Sequence, residues 1–258
     1  MAAARWWRHE HGLPRRHPAF RGEGDALPVP AKRPAPQLLP PAERRRATDT
    51  VALALEVASA ACAAAQRDPA TLPSVFVSAH GDLGVNDYMC STLATAPTML
   101  SPTRFHNSVH NAPAGYWTMG TACHEASTAL TAYEHSFANG LLAAATQCLA
   151  DSRAVLLVGY DVTAVGALAS VTHSDGLLAM ALVISPERGD HSLLQLDWAL
   201  EAADQPAMAA LRSPAAQALA GNALADALPL AEALARGEPR SLRMPLSTRQ
   251  ALCLTLVA

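Results

Sequence analysis

Charged side chains, cysteines and long apolar runs are all scarce in this chain, and each scarcity excludes something. Asp, Glu, Lys and Arg make up only 16% of the 258 residues and leave a net charge of -3. Binding to a phosphate backbone needs a basic face, so nucleic acid is not an expected partner. The densest cationic cluster, Arg44, Arg45 and Arg46, sits beside Glu43 and Asp49 and reads as the solvated start of a helix. The five cysteines, Cys62, Cys90, Cys123, Cys148 and Cys253, are odd in number and widely spaced, with no CxxC pair. Neither a disulfide framework nor a zinc knuckle is indicated, and they read as cytosolic thiols. No apolar stretch has membrane-spanning length, and the start MAAARWWR lacks the apolar centre of a signal peptide. The expectation is a soluble, cytoplasmic protein with no membrane span. GxxxxGK[ST], GxGxxG, HExxH and GxSxG are absent as well, so no cofactor, no metal and no serine-hydrolase elbow is expected. A serine paired with His110 or His173 and Asp175 has no elbow to sit on.

What the chain does have is an apolar half, 50% of its residues, enough for one sizeable core. Residues 1–41 hold eight prolines among Arg, His and Trp, a mixture that sustains neither helical nor strand periodicity. Residues 1–40 are therefore predicted to form an extended arm whose Trp6, Trp7 and Phe20 wrap loosely over the chain's own core, and residues 41–258 one domain. Pro41 opens a long helix carrying Val51, Leu55, Ala58 and Cys62 at helical spacing. A buried strand follows at 74–80, then a helix over 86–96. His106 and His110 stand at i,i+4, on one face of a further helix.

The segment Ala126–Leu142 reads as an extended lead-in, a sharp turn and a buried helix over 135–150, with Phe137, Leu141, Ala144 and Cys148 on one face. Strands are predicted at 154–161, 177–185, 192–201 and near 249–257, with a proline-punctuated helix at 214–235. Helices alternating with apolar strands argue for a layered α/β protein. A turn between strand and helix is where acyl-transfer enzymes hold a nucleophile, because helix N-terminal N–H groups stabilise its anionic form. Here the turn carries Glu134, which also fits a plain helix-start carboxylate.

Five segments, FHNSVHNAPAGYW over Phe105–Trp117, STAL over 127–130, SFANGLL over 136–142, VLLVGYD over 155–161 and HSDG over 173–176, resemble the N-terminal half of β-ketoacyl synthases. The likeness spans residues 36–186 and is nearest to the chain-length-factor subunits of aryl polyene and xanthomonadin-type pigment systems. It implies an α/β, thiolase-like fold, truncated to one essentially complete half plus a reduced second half of two strands and a helix. The arm lacks the apolar first strand this family would supply.

The family's nucleophile stands a fixed interval before the glycine of the next strand. Glu134 lies 25 residues before Gly159 (159 − 134), which the resemblance maps onto the nucleophile position. Cys123, in a Thr-Ala-Cys sequence, lies 36 residues before it (159 − 123), so using it requires about three extra helical turns in a buried helix. The family's two C-terminal histidines are missing, since none of the 67 residues after His191 (258 − 191) is histidine. The resemblance thus implies no catalytic residue of its own. It implies a chain-length factor pairing with an active ketosynthase in type II polyketide synthesis, served indirectly by an acyl carrier protein. Phe105, His106, Asn107, His110, Asn111, Tyr116, Trp117 and Phe137 are the residues expected at the partner interface. The alternative is an acyl-thioester-processing enzyme, a thioesterase or acyltransferase, using Cys123 or Glu134. A metal held by His106, His110, Cys123 and His124 is disfavoured by the absence of a carboxylate partner.

Overall fold

The computed structural model describes residues 3–6, 18–21, 34–203 and 210–257. Its first element, β1 (Ala3–Trp6), is followed by α1 (Pro41–Arg46), α2 (Asp49–Ala65), β2 (Ser74–Val77) and α3 (Leu83–Thr95). Then come α4 (Pro102–His106), α5 (Ala112–Thr121), β3 (Ser127–Leu130), α6 (Ser136–Asp151), β4 (Val155–Asp161) and β5 (Leu178–Ile184). The remainder is β6 (Gln195–Ala202), α7 (Pro214–Ala218), α8 (Leu228–Arg236), β7 (Arg240–Pro245) and β8 (Gln250–Val257).

Five strands form one sheet in the order β1-β5-β4-β2-β3, in which β4, β2 and β3 are parallel, β5 is antiparallel to β4, and β1 is antiparallel to β5. The strands β2, β4 and β5 read as unbroken apolar runs because both faces of the sheet are covered. Phe76, Leu156, Val158, Ala181 and Val183 face α2 and α5, while Val75, Val77, Val155, Leu157, Met180 and Leu182 face α6. The alternation of side chains along a strand delivers consecutive residues to the two layers.

The second sheet, β6-β8-β7, is antiparallel. Leu242, Met244, Leu252, Leu254 and Leu256 turn inward to join α6, α8 and the first sheet in one apolar cluster. Gln195, Asp197 and Glu201 on β6 are exposed. The reduced second half therefore has three strands rather than the two predicted. Strand β7 escapes a sequence reading because only Leu242 and Met244 of its RSLRMP are buried.

Three further expectations are corrected. The long helix from Pro41 is two helices, broken at Ala47 and Thr48, where the Thr48 hydroxyl caps α2 by accepting from the Val51 N–H at 3.5 Å. The helix over 214–235 likewise breaks into α7, a 3-10 turn at Ala225–Ala227 and α8. The predicted arm contains β1, paired with β5, so a first strand is present. A 3-10 turn at Pro18–Arg21 puts Phe20, 3% exposed, into the core beside α7 and α8. Trp7 and the side chain of Trp6 lie outside the described residues.

Helix α6 lies close against the sheet because residue 140 is glycine. A Cβ built there would stand 2.2 Å from Val77 Cγ2 and 3.3 Å from Leu157 Cδ1. Val77 is β-branched and fully buried, so it cannot swing away. Gly140→Ala should destabilise the fold by roughly 1–3 kcal/mol, the usual range for overpacking. Urea denaturation followed by circular dichroism reads this directly, and an unshifted midpoint contradicts the close-approach account.

Candidate functional site

Strands β2, β3 and β4 run parallel, so the loops that leave their C-terminal ends gather at one edge of the sheet, where open α/β sheets place their sites. The loop after β3 makes a tight elbow into α6. Its apex is Tyr133, at φ 53°, a left-handed conformation for a bulky residue that costs on the order of 1–3 kcal/mol. The Ser136 hydroxyl holds this turn by donating to the Tyr133 carbonyl at 2.7 Å and accepting from the Ala132 N–H at 2.9 Å. Asn139 Nδ2 donates to the His135 and Leu246 carbonyls at 2.8 and 3.0 Å, tying the elbow to the segment after β7.

A carboxylate from the second half completes the arrangement. Asp226 Oδ2 accepts the Ala138 N–H at 3.0 Å, serving the first turn of α6, where backbone donors have no helical partner. Asp226 is 7% exposed, and burial pushes its carboxyl up to about 7 despite the N–H groups of Ala138 and Phe137, which lower it. A second buried acid, Asp161 at the end of β4, fixes the neighbouring loop. Its oxygens accept from Ser78 Oγ at 2.8 Å and the Ala79 N–H at 2.9 Å, and burial pushes it up to about 6. Ser78 Oγ in turn accepts the Gly81 N–H at 2.8 Å.

Above these supports, His80 sets its ring edge-on to Tyr133, centroids 5.5 Å apart, with Nε2 3.3 Å from Thr172 Oγ1. Burial pushes the His80 imidazole down. Tyr133 is exposed here, as are Val165, Leu168 and Val171 in the segment between β4 and β5. His80 was missed in the sequence, where its place at the end of a buried strand was the available signal.

The apex of the elbow is Tyr133, and Glu134 follows it within an exposed 3-10 turn. Glu134, which the counted interval assigns to the family's nucleophile position, thus directly follows the residue with the positive φ. Cys123 is nowhere near this site. It follows α5 and precedes β3, so it lies at the opposite end of the strand, about 10 Å or more from the elbow by strand rise. Its thiol is 5% exposed and faces the Leu72 carbonyl at 3.5 Å.

The predicted interface set divides. Tyr116, Trp117 and Phe137 are at most 2% exposed and belong to the chain's own core, so they cannot anchor a partner. Trp117 packs on Phe76 with centroids 6.5 Å apart, and the Phe137 ring lies against Gly159, where a Cβ would come within 2.8 Å of it. Asn107 is buried, donating from Nδ2 to the Thr103 and Arg46 carbonyls at 3.0 and 3.3 Å. Phe105, His106 and Asn111 remain exposed.

His106 and His110 do not share a helical face, because α4 ends at His106 and a turn intervenes. His106 sets its ring edge on Tyr116, whereas His110 Nε2 lies 3.0 Å from the Ser78 carbonyl. Among the described residues no three metal-ligating side chains converge. Ser174 is buried and accepts the Ala223 N–H at 3.2 Å, a structural role.

Two apolar-covered halves, with an elbow between a parallel strand and a buried helix at their junction, define a thiolase-like condensing-enzyme fold. The chain belongs to the β-ketoacyl synthase N-terminal domain family, whose model matches residues 20–250. Among solved structures it is similar to a chain of a ketosynthase in complex with its chain length factor from Xenorhabdus doucetiae, with a TM-score of 0.64 and 22% identity over 84% of this chain and 81% of that one. It is also similar to a chain of the ishigamide ketosynthase/chain length factor, with a TM-score of 0.65 and 14% identity over 89% and 87%. A third likeness is to a chain of a type II polyketide synthase acyl-carrier protein in complex with its ketosynthase bound to the hexaketide, with a TM-score of 0.68 and 9% identity over 89% and 88%. At these identities the structures speak for the fold. No curated protein matches the sequence. Among the described residues no helix is long and apolar enough to cross a membrane.

The two buried acids carry a pH dependence with a definite sign. Between the ordinary carboxylate value of 3.8 and about 7 for Asp226, or about 6 for Asp161, the folded chain binds more protons than the unfolded one. Each therefore lowers stability as pH rises through its window, and its favourable share is fully present only below it. Asp226→Asn keeps an oxygen for the Ala138 N–H and removes the ionisation. Its urea midpoint should fall less than that of the parent between pH 4 and pH 8, and parallel curves would contradict the assignment.

Proposed function

We propose that this chain is a non-catalytic, ketosynthase-like subunit of the chain-length-factor kind, which pairs with an active β-ketoacyl-acyl carrier protein synthase in type II polyketide synthesis. The observation that carries this reading is Tyr133 at the apex of the elbow. Condensation by this fold passes the acyl group through a thiolate that exchanges reversibly with thioesters. The apex has no thiol, the nearest candidate in sequence faces the other end of the sheet, and Glu134 would form an anhydride that water destroys. The elbow then serves as architecture.

Two surfaces support pairing. Strand β3 is the outer strand of the first sheet, and Ser127, Thr128 and Ala129 are exposed along it, leaving one backbone edge open for another strand. Phe105, Val109 and Met119, from 52% to 63% exposed, add an apolar area on the helices and turn that precede β3. The solved complexes of similar fold contain a ketosynthase with its chain length factor, which agrees with this role. In the pair, an acyl carrier protein delivers the growing chain to the partner, and this subunit shapes the partner's tunnel and the length reached. The product class suggested by the sequence likeness is an aryl polyene or xanthomonadin-type pigment.

Two measurements test the proposal. Incubation of the full chain with a reactive acyl thioester should leave Cys123 and Glu134 unlabelled by peptide mass spectrometry, and stoichiometric label on either overturns the non-catalytic reading. Co-expression with a complete ketosynthase from the same genome should give a stable one-to-one complex. A soluble monomer that ignores every such ketosynthase overturns the pairing.

A further inference from the structure

Arginine side chains carry most of the buried donors that find no acceptor among the described residues: Arg21, Arg44, Arg236 and Arg243 at Nε, and Arg240 at Nη1. Arg21, Arg44 and Arg243 have partners elsewhere. Arg236 and Arg240 differ, because neither side chain makes a hydrogen bond or an ion pair with any described residue. The two stand at the last position of α8 and the first of β7. Two carboxylates lie nearby, and both are committed. Glu232, fully buried one turn earlier on α8, accepts from the N–H groups of Arg212 and Ser213 and from the Ser213 hydroxyl at 2.6 to 3.1 Å. Glu238, in the turn between the two arginines, is exposed and lies 3.7 Å from Arg212.

Arg212, Arg236, Glu232 and Glu238 are the charges that act on Arg240, whose guanidinium is pushed down by burial first and by Arg212 next. Three guanidinium groups thus stand against two carboxylates. A helix end accounts for a cation at Arg236, and the charge of Glu232 for one at Arg240, but neither gives the buried N–H groups an acceptor. Such donors in a native protein call for a water or an ion. Water would supply the acceptor and leave the excess charge. We infer that Arg236 and Arg240 form a phosphate-binding site, to which the exposed Arg212 adds charge. One guanidinium uses both oxygens of a carboxylate, whereas a phosphate monoester presents three terminal oxygens and nearly two charges, enough for two guanidinium groups. Both arginines are half-buried. With no partner to break, rotation about their side-chain bonds brings the inner N–H groups to an ion arriving from solvent. The site goes beyond the pairing proposed above and is independent of it, since about 20 Å of strand separates Arg240 from the Leu246 carbonyl that ties down the elbow.

Isothermal titration calorimetry of the full chain with inorganic phosphate, phenyl phosphate and acetate tests the site. Phosphate, as the free ion or the ester, should bind at least about tenfold more tightly than acetate. Arg236→Gln and Arg240→Gln should each weaken it by at least about tenfold, whereas Arg249→Gln, at an exposed arginine beyond the far end of β7, should change nothing. Glu238→Gln should tighten phosphate about twofold or more, because it removes a repelling charge. Circular dichroism checks the fold of each variant, and if Arg240→Gln does not fold, Arg236→Gln and Glu238→Gln decide. Tighter binding of phenyl phosphate identifies an ester as the source and tighter binding of inorganic phosphate the free ion, and either supports the site. Phosphate binding no tighter than acetate, binding that survives both arginine substitutions, or weaker binding by Glu238→Gln overturns the inference.

Discussion

Everything at the candidate site depends on how closely α6 can lie on the central sheet. With glycine at 140 the helix axis settles against Val77 and Leu157, and with glycine at 159 the Phe137 ring seats on β4. Only that depth brings the helix N-terminus level with the C-terminal ends of β2 and β3, so that a few residues suffice to turn from strand to helix. The turn must then be severe, and the severity appears as the positive φ of Tyr133. Such strain persists where surrounding contacts over-determine it, and Ser136, Asn139 and Asp226 supply those contacts.

The second half of the molecule acts on the first through a few groups. Asp226 serves the start of α6, Asn222 Nδ2 donates to the carbonyls of Asp161, Asp175 and Gly176, and the Leu246 carbonyl holds Asn139. These link the end of β4, the approach to β5 and the elbow to the segments around α8 and β7. Glu232, fully buried on α8, binds the N–H groups of Arg212 and Ser213 and the Ser213 hydroxyl, so the segment entering α7 is pinned too. A reduced second half thus still supports the loops of the complete one. That is a structural reason for it to persist.

The sheet was legible in the sequence wherever both its faces are covered, because Ser74–Val77, Val155–Asp161 and Leu178–Ile184 are nearly continuous apolar runs. Strand β1 was illegible for the opposite reason, since AARW has no pattern of its own and becomes a strand by pairing with β5. The elbow was visible as a junction, but counting along a chain cannot show which residue absorbs the positive φ, and that residue is Tyr133, beside the counted Glu134. Interface residues were the least legible. Aromatic side chains suit a partner's surface and a protein's own interior equally well, and burial assigned Tyr116, Trp117 and Phe137 to the interior. Phe105 shows the contrary case, a large apolar side chain left 58% exposed.

The pairing of β1 with β5 has a consequence for how the chain is made. Ala3 lies opposite Val183, so the antiparallel edge of the sheet cannot close until roughly 180 further residues have been synthesised, a delay of roughly 10–40 s at ordinary ribosomal rates. Until then β5 is missing, and afterwards its outer backbone edge waits for the N-terminal strand to return. Contacts this distant in sequence slow folding and leave strand edges open to other chains. The assembly hazard of this protein is therefore temporal as well as spatial. During synthesis the β1 and β3 edges of the same sheet are both unpaired, and a partner or chaperone that meets the nascent chain at the β3 edge would find a sheet not yet closed at the other.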